Sequence, residues 1–310
     1  MALNAAMHNW MRPEPLEVTL DRLKRHGYSG LEISGEPAHY EDAGKVRAQL
    51  DEHGIRCWGS VTIMTAGRDL LHEDRYVRLG TVEYVKDVIT MAADLGGEIV
   101  AVVPSTVGKV TPMGSASEEW RWAVESLKVC QAHAESRGVR IALEPLNRFE
   151  TYFLNRCDQA LALADDVGGD CGVCLDAFHM NIEEEDWAEA IRAAGPRLRD
   201  FHIADNNRMP PGQGSLDWPA IVGELESVGY AGCLTVEFVG TVDRSPVAPR
   251  TDMRDASETE GSESAARFIR DHGGGALSDE TYDRWVRESI EALRNAQSAT
   301  VGSLAQRGQS

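Results

Sequence analysis

Residues 171–205 read CGVCLDAFHMNIEEEDWAEAIRAAGPRLRDFHIAD. An apolar run closing on Asp176, a helical pattern in WAEAIRAAG and a second apolar run closing on HIAD read as strand, helix, strand. Asp176 and His179 stand three residues apart where the first strand ends. On this stretch alone they either bind something or merely close a strand and open a helix, since Asn181 with Glu184 resembles the cap of a starting helix.

Working outward, the same kind of unit recurs. Short β-rich runs begin at residues 3 (LNAAMHN), 30 (GLEISG), 56 (RCWGSVT), 98 (EIVAVVP), 140 (RIALEPL), 171 (CGVCLDAFH), 198 (LRDFHIAD) and 233 (CLTVEFVG), with helical patterns such as TVEYVKDVITMAADLG between them. Gly27, Gly96, Gly138 and Gly229 stand just before a strand, as C-terminal stops of helices do. Eight alternations, with ESIEALRNA as the last helix, predict an α/β fold: a single (β/α)8 TIM barrel over residues 1–295. Residues 241–281 are too long for an ordinary βα loop and read as an insertion or arm after strand eight, disordered in its acidic middle. Residues 296–310 read as a disordered tail.

Composition narrows the function. A net charge of −19 repels phosphate backbones and anionic membrane surfaces, which argues against nucleic acid and lipid as partners. No apolar run approaches the roughly 18 residues of a membrane span, and the amino terminus lacks a signal-peptide pattern, so the expected location is cytoplasmic. The six cysteines sit mostly in apolar runs and read as reduced core residues; the CxxC of Cys171–Cys174 reads as the entry of a strand.

Four strand ends carry chemistry. Glu144 ends RIALE, Asp176 ends GVCLD, His202 lies late in RDFHIAD and Glu237 ends LTVE. In a barrel all parallel strands end at one rim, so these four converge. A single acid at a strand end is ordinarily a cap, but three carboxylates gathered without a cation cost several kcal/mol in desolvation and repulsion. A divalent metal removes that cost. The mixed oxygen and nitrogen set suits Mn²⁺, or Co²⁺ or Mg²⁺, at one ion per chain, better than a closed zinc site.

The motifs LEPLNRFETYFLN, CLDAFHMNIEEEDW and HIADNNRMPPGQGSLDW carry a likeness. The chain resembles the xylose-isomerase-like sugar isomerase/epimerase superfamily, above all the ketose 3-epimerases. The resemblance implies that Glu144, Asp176, His202 and Glu237 ligate the metal, that Glu144 and Glu237 are the catalytic proton-transfer pair, and that Glu150, His179 and Arg208 hold substrate oxygens. Read from the residues alone, the alternative for His179 is a buried donor to backbone, and for Arg208 a surface ion pair. Ala204-Asp205 stands where the family has Gly-Glu, and the segment after strand four has no early tryptophan.

The resulting expectation is a divalent-metal-dependent sugar isomerase or epimerase that abstracts a proton beside a keto group and passes through an enediolate. A second reading keeps the site and changes the outcome: the large subunit of a C-glycoside deglycosidase acting on a 3-oxo-glycoside. A third is a sugar-binding barrel without turnover, against which retention of all four presumptive ligands argues. The related zinc endonucleases need more histidines and a basic face. The partners implied are a small sugar or glycoside and either further copies of the chain or a small second subunit.

Overall fold

The computed structural model describes residues 4–65, 67–240 and 277–307, with side chains to residue 300. Eight strands form one sheet: β1 (Ala5–Met7), β2 (Gly30–Gly35), β3 (Arg56–Thr62), β4 (Ile99–Val102), β5 (Arg140–Leu143), β6 (Gly172–Asp176), β7 (Leu198–Ile203) and β8 (Leu234–Val236). Each falls within the run that the sequence assigns to it. Neighbours are parallel throughout, in the order β1-β8-β7-β6-β5-β4-β3-β2. Between β1 and β2 the circle closes through the isolated parallel bridge His8–Glu32, with Asn9 N–H donating to Glu32 O at 3.3 Å. The strands are buried on both faces, as expected where helices cover a parallel sheet.

Helices connect consecutive strands: α1 (Leu16–His26), α2 (Ala43–His53), α3 (Arg75–Asp94), α4 (Ala116–Arg137), α5 (Cys157–Val167), α6 (Ala177–Glu183) with α7 (Trp187–Ala194), and α8 (Trp218–Ser227); α9 (Asp279–Arg307) follows β8. Local chemistry sets their ends. Ser115 and Glu118 form a capping box at the start of α4, and Gly138, at φ 72, lets its N–H turn back onto Ala134 O and Glu135 O at the other end.

Two sequence expectations are corrected here. Residues 296–310 were expected to be a disordered tail, yet α9 continues to Arg307. Its apolar spacing explains this: Tyr282, Trp285, Val286, Ile290, Leu293 and Ala296 are all buried, one stripe of a helix packed against α1 and α8. Asn181 and Glu184 do not start a helix either. The helix begins directly after β6, with Asp176 as its cap, and Asp186 caps α7. Of the segment 241–281, residues 241–276 lie outside the described residues, while Leu277 is fully buried and Asp279 opens α9.

All six cysteines are buried and free, in line with the reduced-core reading. Among the described residues no helix is long and apolar enough to cross a membrane.

Candidate active site

The strand ends converge as the topology requires. Glu144 follows β5, Asp176 closes β6, His202 is the penultimate residue of β7 and Glu237 follows β8. One ligand atom from each lies within 4.8 Å of the others, and the four are 0–5% exposed. Register explains the alignment: Asp176 pairs with His202 across β6 and β7, and His202 with Thr235 across β7 and β8.

Asp176 fills one of the roles that its sequence leaves open and keeps an oxygen available for the other. Its Oδ1 accepts from Phe178 N–H at 2.7 Å and starts α6, while Oδ2 is buried without a hydrogen-bond partner. Glu237 Oε1 accepts from Trp10 Nε1–H at 3.0 Å, and its Oε2 is likewise buried and unpartnered. His202 Nδ1 lies 2.9 Å from Glu144 Oε1 and 3.5 Å from Glu237 Oε2. Two orphan carboxylate oxygens turned to one point, with an imidazole nitrogen and a third carboxylate, form a donor set that fits a divalent cation of the oxygen- and nitrogen-preferring kind. Glu144, Asp176, His202 and Glu237 could hold it.

Electrostatics show how poorly the cluster tolerates its own charge. Burial pushes the Asp176 carboxyl up to about 8 despite nearby Arg208. Burial also raises Glu144, against the pull of His202. Burial opposes charge on Glu237 too, but His8, His202 and Arg208 hold it well below the usual carboxylate range. Burial likewise disfavours the His202 cation, but Cys174, Glu144, Glu32 and Glu237 around it raise it well above its ordinary value. A carboxyl raised in the folded state binds a proton that the unfolded chain has released. Its stabilising contribution is therefore full below the ordinary aspartate value and is lost as pH rises through about 8. His8, lowered to about 3 by burial, works in the opposite sense, but its effect is complete by the ordinary histidine value near 6.5. Metal-free protein should thus lose stability between pH 6.5 and 8, and thermal unfolding of chelator-treated protein across that window checks it; a melting temperature that climbs instead would overturn this reading of the cluster.

Above the cluster opens a cleft of ≈ 470 Å³. Glu150, His179 and Arg208 line it together with Glu144 and Glu237, so the structure brings all seven residues singled out in the sequence to one place. Arg208 Nη1 is 3.1 Å from His179 Nε2 and 3.7 Å from Glu150 Oε1, its Nη2 is 3.8 Å from Glu237 Oε2, and its guanidinium lies over the Phe178 ring. Arg208 is no loose surface ion pair. At φ 62 it is the one non-glycine residue with positive φ among the described residues, held by Arg208 N–H to Asp205 O and Val239 N–H to Arg208 O, both 2.8 Å. His179 Nδ1 accepts from Asn147 N–H at 3.2 Å and its ring is buried, so it is not a donor to backbone. Asn147 also donates to Glu150 Oε1 at 2.8 Å.

Residues 20–272 match the xylose isomerase-like TIM barrel model. The chain belongs to that family. It is similar to the L-ribulose 3-epimerase of Mesorhizobium japonicum, 32% identical over 223 residues, which cover 72% of this chain and 75% of that one. It is also similar to the 3-dehydro-D-guloside 4-epimerase of Escherichia coli, 30% identical over 237 residues, or 73% and 87% of the two chains. The D-psicose 3-epimerase of Clostridium cellulolyticum H10, crystallised with D-tagatose, shares the fold at TM-score 0.79 and 24% identity, over 95% of this chain and 99% of that one.

Within this xylose isomerase-like barrel, Asp205, a departure noted in the sequence, has a plain structural role. Its carboxylate accepts from Asn206, Gly212 and Leu216 N–H and from Trp218 Nε1–H, which ties down the loop between β7 and α8. Sequence reading missed His8, Trp10, Glu32 and Asp200, which surround the cluster. His8 stacks edge-on against His202 with ring centroids 4.5 Å apart, and Cys174 lies close enough to join Glu144 and His202 as a third donor. Period-2 alternation along β7 was the available signal for Asp200, because it faces the same side as His202.

Proposed function

We propose that the protein is a divalent-metal-dependent sugar epimerase or isomerase that removes a proton beside a keto group and returns it by way of an enediolate. The observation that carries this reading is the convergence of Glu144, Asp176, His202 and Glu237 at a cleft that Glu150, His179 and Arg208 also line. Both relatives described above at 30% identity or more are sugar epimerases by name, which supports the reaction class. A bound divalent cation supplies the charge that makes such a proton removable. Glu144 on the β5 side and Glu237 on the β8 side reach the cleft from strands separated by β6 and β7, so one takes the proton and the other returns it from a different side. Arg208, His179 and Glu150 orient the sugar oxygens, and the apolar side chains Val61, Ile63, Val103 and Leu146, which line the same cleft, exclude water.

Incubation of Mn²⁺-loaded protein with a ketohexose panel and with 3-oxo-glycosides in deuterated water tests this. The expected result is an epimerised or isomerised sugar carrying solvent deuterium at the reacting carbon. Turnover by fully metal-free protein would sink the metal assignment, and product without any solvent exchange would sink the proton transfer.

One observation favours a second outcome at the same site. Phe149, Val110 and Met113, 74%, 55% and 42% exposed, stand on the two loops whose inner members Glu150 and Val107 line the cleft. Those loops run side by side, with Gly108 N–H donating to Glu150 O at 2.7 Å. An exposed apolar rim suits a 3-oxo-glycoside whose aglycone lies outside the cleft; the same proton abstraction would then form a C=C bond in the sugar as the C–C bond to the aglycone breaks, with the other carboxyl group protonating the departing aglycone carbon, as in a C-glycoside deglycosidase. That reading requires a small second subunit, so release of aglycone only after the partner is added distinguishes it from an epimerase active alone or as a homo-oligomer.

A further inference from the structure

Below the candidate metal centre, His202 turns its second nitrogen toward two buried acids, Asp200 Oδ2 at 3.3 Å and Glu32 Oε2 at 3.5 Å. Both carboxylates are 0% exposed. Only the Asp200 contact has hydrogen-bond geometry, and neither Glu32 oxygen is hydrogen-bonded. Asp200 is itself fixed. Its Oδ1 accepts from Trp58 Nε1–H and from Phe201 N–H, each at 2.9 Å, which leaves Oδ2 aimed at the imidazole. Trp58 comes from β3, on the other side of the barrel from β7, so the bond crosses the barrel interior.

We infer that Asp200, clamped by Trp58, is a positioning residue that keeps the His202 proton on Nε2 and so presents Nδ1 as the metal-binding nitrogen. This rests on the metal-centre reading above. A neutral imidazole carries one N–H, and the partner of that N–H decides which nitrogen is left with a lone pair. Asp200 can only accept, because its other oxygen already takes two donors. The lone pair then falls on Nδ1, the nitrogen that faces Glu144 and Glu237. Carboxylate partners of this kind hold ligating histidines in orientation and raise their basicity.

Asp200→Asn tests the inference by reversing the polarity without changing the shape. Trp58 Nε1–H and Phe201 N–H require an acceptor at the Oδ1 position, so the amide oxygen stays there and the NH₂ turns to His202. Nε2 must then accept, and the proton moves to Nδ1, where it obstructs the ligand set. Mn²⁺ affinity, measured by competition with a chelator, is expected to fall about 10- to 100-fold. Above the pH at which the metal-free imidazolium gives up one proton, the ¹⁵N-histidine spectrum of the variant should show the Nδ1–H form where the wild type shows Nε2–H, a change that a merely structural role would not produce. Trp58→Phe removes one of the two donors that fix the carboxylate and loosens it, so a smaller loss of Mn²⁺ affinity is expected, and it serves where Asp200→Asn fails to fold. Glu32→Gln should leave Mn²⁺ affinity little changed. Wild-type affinity in both folded variants, or weakening by Glu32→Gln alone, overturns the role of Asp200. Failure of the wild-type protein to bind Mn²⁺ at all would instead overturn the metal reading beneath it.

Discussion

Glu144→Gln and Glu237→Gln are each expected to lower sugar interconversion by about 10²- to 10⁴-fold at saturating Mn²⁺, since an amide neither takes nor returns a proton. The fold should survive, because both side chains stand at strand ends and the change is isosteric. Loss of turnover alone would not separate a base from a ligand. Solvent exchange does so. With two bases on different sides of the substrate, a variant lacking one still removes the proton that faces the other. Each variant should therefore wash deuterium into one epimer of a substrate pair without converting it, and the two variants should exchange opposite epimers. The measurement is the deuterium content of recovered substrate. A single variant that abolishes exchange of both epimers while the other has no effect would show that one carboxylate does all the proton work, and the paired assignment would fail.

The sequence exposes this site because barrel topology converts strand ends into neighbours. RIALE, GVCLD, RDFHIAD and LTVE each put a ligand-type side chain at the last inward position of a strand, and the alternation of strand and helix was strong enough to count. Residues that act through shape rather than type were not legible. Trp10 reaches Glu237 from the loop after β1, a strand of only three residues (Ala5–Met7), and Glu32 lies within an apolar run where an acid looks like a solvated position. Asp200 was missed because RDF reads as the polar approach to a strand, although its two-residue spacing from His202 places both on the barrel's inner face. At the carboxyl end, the polar residues after Ala296 hid the continuation of α9. Its earlier turns are anchored by Tyr28 Oη–H to Val286 O at 2.8 Å and by the Phe238, Tyr282 and Trp285 rings. Tertiary packing of that stripe, not the propensity of the tail, carries the helix onward.

Asp176→Asn is expected to separate helix capping from the proposed metal ligation. Asparagine caps a helix as well as aspartate, so the bond from Phe178 N–H and the start of α6 should persist. What disappears is the second oxygen, the one that turns unpartnered into the cluster. Elemental analysis should find about one divalent ion per wild-type chain and none in Asp176→Asn or His202→Ala. The thermal consequence is equally direct. Ion at about 1,000 times its dissociation constant stabilises the wild type by about 4 kcal/mol, and neither variant should gain that increment. Without metal the two variants part company. Near pH 7 the Asp176 carboxyl, raised to about 8 by burial, is largely protonated in the folded chain, so a neutral amide replaces a group that is already neutral. Metal-free Asp176→Asn should therefore melt close to metal-free wild type at pH 7 and above it at higher pH, where the wild-type carboxyl ionises inside the cluster. His202→Ala should melt below both, because it removes a fully buried ring and strands Asp200, Glu32 and Glu144 without their cationic neighbour. An Asp176→Asn protein that still takes up one ion with the wild-type rise in melting temperature would reduce Asp176 to a helix cap, and the metal centre would have to be built from the other three residues.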